Sequence, residues 1–149
     1  MPDKEATFSQ IITQRIVINA ATSKIWEALT NPRVMNKWMY DSEIDIITDW
    51  KVGHAISISG DSYESRFENK GIVLQFEPER FLQYNHLSSL SNLPDKVENY
   101  TVIGFTLTPA QNQTALVLTL SNFPTEIIYK HFAFYWAGTL GLLKTLLEQ

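Results

Sequence analysis

The sequence predicts an α+β fold in which a curved antiparallel sheet of six or seven strands wraps around one long C-terminal helix, with two short helices after the first strand. Three observations carry this expectation. Between residues 44 and 120 apolar side chains recur at alternate positions, the period of half-buried strands, and no stretch between them is long enough to be a crossover helix. From about residue 125 to residue 148 the period becomes 3.6, and Tyr129, Phe132, Trp136, Leu140, Leu143 and Leu147 fall on one stripe. Between the opening strand and the sheet, two short segments show helical spacing.

In chain order, residues 10–19 read as a strand with Ile12, Gln14, Ile16 and Ile18 on one face. Residues 21–30 change period: Ile25, Trp26 and Leu29 lie on one side of a helix that Thr22 or Ser23 would cap. Asn31 caps a second short helix with Pro32 at its first position, and this helix carries Val34, Met35 and Trp38. Residues 44–48 are a strand, Asp49-Trp50-Lys51-Val52-Gly53 a turn, and residues 54–60 a strand with Ile56 and Ile58 on one face before a turn at Asp61-Ser62. The strands 65–76 and 80–87 flank a turn set by Glu77-Pro78-Glu79, and Leu82, Tyr84 and His86 share one face of the second. In the strand 98–108, Asn99 and Thr101 have the parity of Ile103, Phe105 and Leu107. Across a loop at 109–113, the strand 114–120 places Leu116, Leu118 and Leu120 together. The closing helix would run roughly 35 Å at 1.5 Å per residue, enough to cross a whole curved sheet.

Composition narrows the function classes. The 149 residues suit a single unit spanning the chain, with its core at about 10–148, and 44% apolar with 19% charged residues describes an ordered globular chain. Aromatics reach 12%, which calls for a bulky core or an incompletely filled cavity. A net charge of −4 without any basic run argues against nucleic acid and against an acidic membrane surface. No cysteine is present, which excludes disulfides, thiol catalysis and cysteine-held zinc or iron–sulfur centres. Met1-Pro2-Asp3-Lys4-Glu5 lacks the apolar core of a signal peptide, so the cytosol is the expected compartment, and Asn112-Gln113-Thr114 reads as a hairpin turn rather than a glycosylation site.

The ordered set Ile16-Val17-Ile18, Ala20-Ala21, Ile25 to Thr30, Asn31-Pro32, Trp38, Trp50-Lys51-Val52-Gly53, Gly71-Ile72-Val73, Glu77 to Phe81, and Trp136 with Leu140, Leu143-Lys144 and Leu146-Leu147-Glu148 resembles the START-like, or polyketide-cyclase-like, superfamily. More narrowly it resembles the family named after the activator of the Hsp90 ATPase (homologue 1-like domains). The resemblance spans about residues 10–148. It implies the helix-grip fold, with a deep cavity between sheet and helix, in a superfamily ranging from lipid or hormone carriers to cyclases. Two positions depart from the family pattern: Gly53-His54 where paired glycines are common, and Tyr135 where a glycine usually precedes the helix Trp.

The residues expected around such a cavity are Trp38, placed near its mouth by family analogy, and the inward Ile56 and Ile58, Tyr84 and His86. Asn99, Thr101, Ile103 and Phe105 follow from the next strand, with Leu118 and, from the closing helix, Phe132, Trp136 and Leu140. His86 beside Tyr84 could act as a general base, or be a hydrogen-bonded histidine at the cavity rim; the second is favoured because nothing else completes a catalytic set. Asn99 and Thr101 either orient a ligand or bond neighbouring strands. Trp136, mid-stripe, reads first as core. Glu64 and Arg66 share one face of their strand, as do Glu68 and Lys70, and all four read as a solvated face or as members of cross-strand ion pairs.

The three histidines, His54, His86 and His131, have no metal-ligand spacing, nucleotide-loop and hydrolase motifs are absent, and no cofactor is expected. On the closing helix Ile127, Phe134 and Gly138 lie opposite the stripe with Gly141 nearby. Two glycines cost a helix roughly 2 kcal/mol against alanine, which a homodimer contact would offset; chance surface apolarity is the alternative. The leading functional expectation is binding of a small apolar or amphipathic molecule. The others are an enzyme of cyclase, dehydratase or hydrolase type and, lacking any additional N-terminal domain in this chain, a regulator of an Hsp90-type chaperone.

Overall fold

A computed structural model describes residues 10–62 and 65–149. Among them one antiparallel sheet has seven strands in the order β1-β7-β6-β5-β4-β3-β2. These are β1 (Ile12–Ile18), β2 (Ile44–Thr48), β3 (Ala55–Ser62), β4 (Ser65–Glu77), β5 (Phe81–Ser88), β6 (Thr101–Ala110) and β7 (Gln113–Ser121). Helices α1 (Thr22–Thr30) and α2 (Pro32–Met35) follow β1, and α3 (Glu126–Leu147) closes the chain. This is the helix-grip architecture expected from the two periodicities. Met1 to Glu5 and Glu64, which entered the expectations above, lie outside the described residues.

Local chemistry explains most boundaries. The Asn31 carboxamide accepts from the Arg33 amide at 3.0 Å, and Pro32 occupies the first turn of α2. The Thr125 hydroxyl accepts from the Ile128 amide at 3.1 Å and so starts α3. Gly53, at φ 88°, closes the β2–β3 turn in a conformation that other residues adopt at a cost. At the β6–β7 hairpin Gln111 (φ 46°) and Asn112 (φ 69°) are both left-handed, which makes a two-residue turn with twist matched to its strands. The loop expected over 109–113 is therefore shorter, with Ala110 paired to Gln113.

Three other expectations change. α1 has Ala21 at its N-cap with no side-chain cap, because the Thr22 hydroxyl donates instead to Glu79 at 2.9 Å. Trp38 follows α2 rather than belonging to it, and its indole donates to the Ala28 carbonyl at 2.9 Å. β6 starts at Thr101; Asn99 sits in a 3-10 turn, Val97–Asn99, because its carboxamide donates to the Pro94 carbonyl and holds the chain off the ladder. Ion pairs across the strands form as expected at Arg66, which lies across from Asp45 (3.3 Å) and Asp61 (3.4 Å), while Lys70 pairs with Asp95 at 2.6 Å.

The stripe on α3 is buried at Phe132, Trp136, Leu140, Leu143 and Leu147, and Tyr129 is half-buried with its ring edge-on to Phe123. The C-terminal part of α3 is tied to the start of the chain: the Lys144 ammonium donates to the Val17 carbonyl at 2.7 Å, and Glu148 accepts from the Asn19 amide at 2.7 Å. Within the sheet, pairing of β4 with β5 is irregular between Val73 and Gln75. Beside this bulge a Cβ on Gly71 would come within 1.8 Å of the Asn85 carbonyl oxygen, so only glycine fits there. Bulges bend the strands that carry them, and this one interrupts the ladder between β4 and β5.

Candidate cavity between sheet and closing helix

The inward residues do not fill the space between β3–β6 and the first half of α3. A cavity of about 670 Å³ remains there. Ile58 from β3, Phe67 and Asn69 from β4, Tyr84 and His86 from β5, and Thr101 and Ile103 from β6 form its sheet wall. Ile128, His131, Phe132, Tyr135 and Trp136 from α3 face them, and Met39 and Tyr40 close one side. The strap of residues 89–100 between β5 and β6 supplies Leu90, Ser91, Leu93 and Asn99. Leu90 (51% exposed) and Ile127 (80% exposed) are among the lining residues, so the cavity opens between the strap and the first turn of α3.

Register explains which polar groups meet. His86 pairs directly with Thr101 across β5 and β6, and Tyr84 with Ile103. Side chains two apart on a strand share a face, so Tyr84, His86 and Thr101 all present polar groups to the same wall, with the Tyr84 ring against Trp50 and Phe105. None of the three has a hydrogen-bond partner among the described residues. Thr101 is 1% and Tyr84 2% exposed. The His86 ring lies 5.0 Å from that of Phe132. A fourth polar atom, the Trp136 indole nitrogen, is buried in the adjoining wall without a partner. Of these, only the Trp136 nitrogen is cut off from the hollow, and a buried polar atom left unpaired costs free energy; the polar groups of Tyr84, His86 and Thr101 face the cavity. Elsewhere on the wall the pairs are made: the Asn69 amide donates to the Tyr40 hydroxyl at 3.1 Å, and the Tyr135 hydroxyl donates to the Met39 carbonyl.

Electrostatics follow from burial. Desolvation, with a smaller contribution from His131, lowers the His86 imidazole to about 4, so the ring is neutral at neutral pH. Desolvation likewise pushes Tyr40 up to about 12 and raises Tyr84 and Tyr135, keeping all three phenols protonated. His86 therefore has one donor and one acceptor nitrogen to offer, and Tyr84 and Thr101 each offer a hydroxyl. No carboxylate among the described lining residues orients the imidazole, and no cluster of metal-binding side chains occurs among the described residues.

Of the residues expected around the cavity, Ile58, Tyr84, His86, Asn99, Thr101, Ile103, Phe132 and Trp136 line it. Trp38, Ile56, Phe105, Leu118 and Leu140 are inward but belong to the packed core and do not line it. Trp38 is not at the mouth: it is 2% exposed, with its ring 6.2 Å from that of Trp136. Alternation missed Tyr40 and Met39, which lie in the irregular segment after α2, and Leu90 and Leu93, which lie in the strap; no periodicity marks such residues. Phe67 and Asn69 sit on a strand face whose parity could have identified them, whereas Leu87 has the opposite parity to Leu82, Tyr84 and His86.

Residues 19–148 match the family model for Activator of Hsp90 ATPase homolog 1-like protein. No curated protein matches the chain. Among solved structures, a Cytophaga hutchinsonii protein is 38% identical over 93% of this chain and 94% of its own, with a TM-score of 0.79. The solution structure of the Aha1 dimer from Colwellia psychrerythraea is 29% identical, covering 93% and 96%, with a TM-score of 0.72. A Mesorhizobium loti protein is 26% identical over 93% and 96%, with a TM-score of 0.74. With 38% identity over nearly the whole chain and a family model matched from residue 19 to residue 148, the chain belongs to the family of Activator of Hsp90 ATPase homolog 1-like proteins.

Proposed function

We propose that this chain binds a small apolar or amphipathic molecule between its sheet and α3. The observation that carries the reading is the cavity of about 670 Å³, within the size range of small-molecule sites and walled by Ile58, Phe67, Ile103, Ile128 and Phe132. An apolar hollow of this size would otherwise lose packing contacts on every side. The test is a titration with the neutral fluorescent probe N-phenyl-1-naphthylamine, alongside native mass spectrometry after incubation with a lipid extract. Saturable one-site binding and a retained small mass are expected. Absence of both a retained mass and saturable binding would refute it.

A second reading concerns assembly, and a specific observation favours it. Ile127, at the rim of the cavity, is 80% exposed and Phe134 is 86% exposed on α3, and nothing lies within 4 Å of where a Cβ on Gly138 or Gly141 would stand. The Colwellia relative is a dimer. We propose a homodimer through Ile127, Phe134 and Gly138, the small residues allowing close approach of the second copy. Light scattering at micromolar concentration is expected to give twice the chain mass, and Phe134→Ser to halve it. A monomer in the unaltered protein refutes the contact. No helix among the described residues is long and apolar enough to cross a membrane.

A further inference from the structure

The cavity is selective in what it lacks. Among its described lining residues there is no Lys, Arg, Asp or Glu. A carboxylate, phosphate or ammonium brought inside would meet no permanently charged side chain, only the imidazoles of His86 and His131, and a buried unpaired charge costs several kcal/mol. Yet the wall is not purely apolar, because Tyr84, His86 and Thr101 present their polar atoms from adjacent positions on β5 and β6 without partners among the described residues. A purely hydrocarbon occupant would leave those groups unpaired. An uncharged oxygen satisfies both conditions: it accepts from the two hydroxyls and, if it carries a proton, donates to the neutral imidazole.

We infer that the molecule held here is electrically neutral and carries a hydroxyl or carbonyl oxygen seated against Tyr84, His86 and Thr101. This rests on the reading that the cavity binds a small molecule, and it adds the ligand's charge and the position of its polar group. Molecules that would have to bury a carboxylate, phosphate or ammonium inside the hollow are excluded as cargo; aromatic or alicyclic alcohols and ketones fit.

The experiment is displacement of N-phenyl-1-naphthylamine at pH 7.5 by four compounds sharing one ring system: 2-naphthol, 2-methylnaphthalene, 2-naphthoate and 2-naphthylmethylammonium. 2-Naphthol is expected to bind roughly tenfold or more tightly than either charged compound. It is also expected to bind more tightly than 2-methylnaphthalene, although it is the less apolar of the two. Thr101→Val and Tyr84→Phe, which each delete one hydroxyl while keeping shape, are expected to weaken 2-naphthol by roughly three- to tenfold and leave 2-methylnaphthalene unchanged. Thermal melting of both variants checks that they fold. Naphthoate or the ammonium binding as tightly as naphthol overturns the neutral class. Equal naphthol affinity in the folded variants and the unaltered protein overturns the placement against these residues. Failure of the fluorescent probe itself to bind sinks the parent reading, which separates that outcome from the other two.

Discussion

Towards its C-terminus α3 lies directly on the sheet, with Leu140, Leu143 and Leu147 at most 5% exposed, whereas over its first three turns the same stripe spans a hollow of about 670 Å³. Nothing in the stripe distinguishes the two ends; bulky side chains run along both. The difference lies in what opposes them. At the packed end Ile18 of β1, Ile25 and Ala28 of α1, and Leu116, Leu118 and Leu120 of β7 are all fully buried. Lys144 and Glu148 pin the helix there to Val17 and Asn19. At the other end the wall comes from β3 to β6, on the side where β4 is bulged against β5, and α3 is held by an aromatic side chain, Tyr135, bonded to the Met39 carbonyl. One helix thus performs two tasks: its last turns hold the fold together, and its first turns roof a binding space.

If that division holds, truncating Leu143 and truncating a cavity residue must differ. Leu143→Ala is expected to cost about 4 kcal/mol, since the tightly packed surroundings cannot collapse onto the void. Ile103→Ala, which enlarges an existing cavity, is expected to cost about 2 kcal/mol, because part of that side chain already lacks neighbours. Urea denaturation measures both. Equal losses would break the comparison.

The second expectation is acid sensitivity confined to the hollow end. The His86 imidazole is lowered by burial to about 4, from its ordinary 6.5. Above pH 6.5 both folded and unfolded chains carry it neutral, and it contributes nothing to the pH dependence. As pH falls through the window from 6.5 to 4 the unfolded chain takes up the proton first, so stability falls, by about 3 kcal/mol once pH is below both values. Denaturation profiles at pH 7 and pH 4 measure this, and His86→Phe is expected to flatten the difference. An unchanged profile in that variant would show that other groups carry it.

The smallest effect is expected at the strap. Asp95 accepts from Lys70 (2.6 Å) and from the Tyr100 hydroxyl (2.6 Å), joining residues 89–100 to β4 on the solvent side. Those partners hold the Asp95 carboxyl below its usual range, Lys70 first. Exposed pairs contribute little to global stability, so Lys70→Met is expected to leave the melting temperature unchanged. Amide exchange over residues 92–100 and entry of the fluorescent probe are expected to quicken. A melting shift without faster exchange would place the pair in the fold rather than at the opening.

Much of this was legible in the chain itself. Alternation at Ile56 and Ile58, at Leu82 to His86 and at Leu116 to Leu120 identified strands whose inward parity the structure keeps, and the 3.6-residue stripe located α3 to within a residue or two. Strand limits failed where a side chain competes with the ladder, as Asn99 does by bonding Pro94, and the first helix cap failed because Thr22 found a partner 57 residues away. The cavity itself was harder. Phe105 and Ile103 have the same parity on one strand, yet only Ile103 lines the hollow. Tyr40, Leu90 and Leu93 reach it from segments without period.

What the sequence by itself determined is therefore sidedness: which side chains turn inward, how many strands there are, and that one long helix covers them. Only the tertiary structure decided where inward side chains meet one another and where they stop short. Parity specifies the face of a strand, but the distance to the opposing helix depends on how far the sheet bends, and that is fixed by contacts between residues remote in the chain.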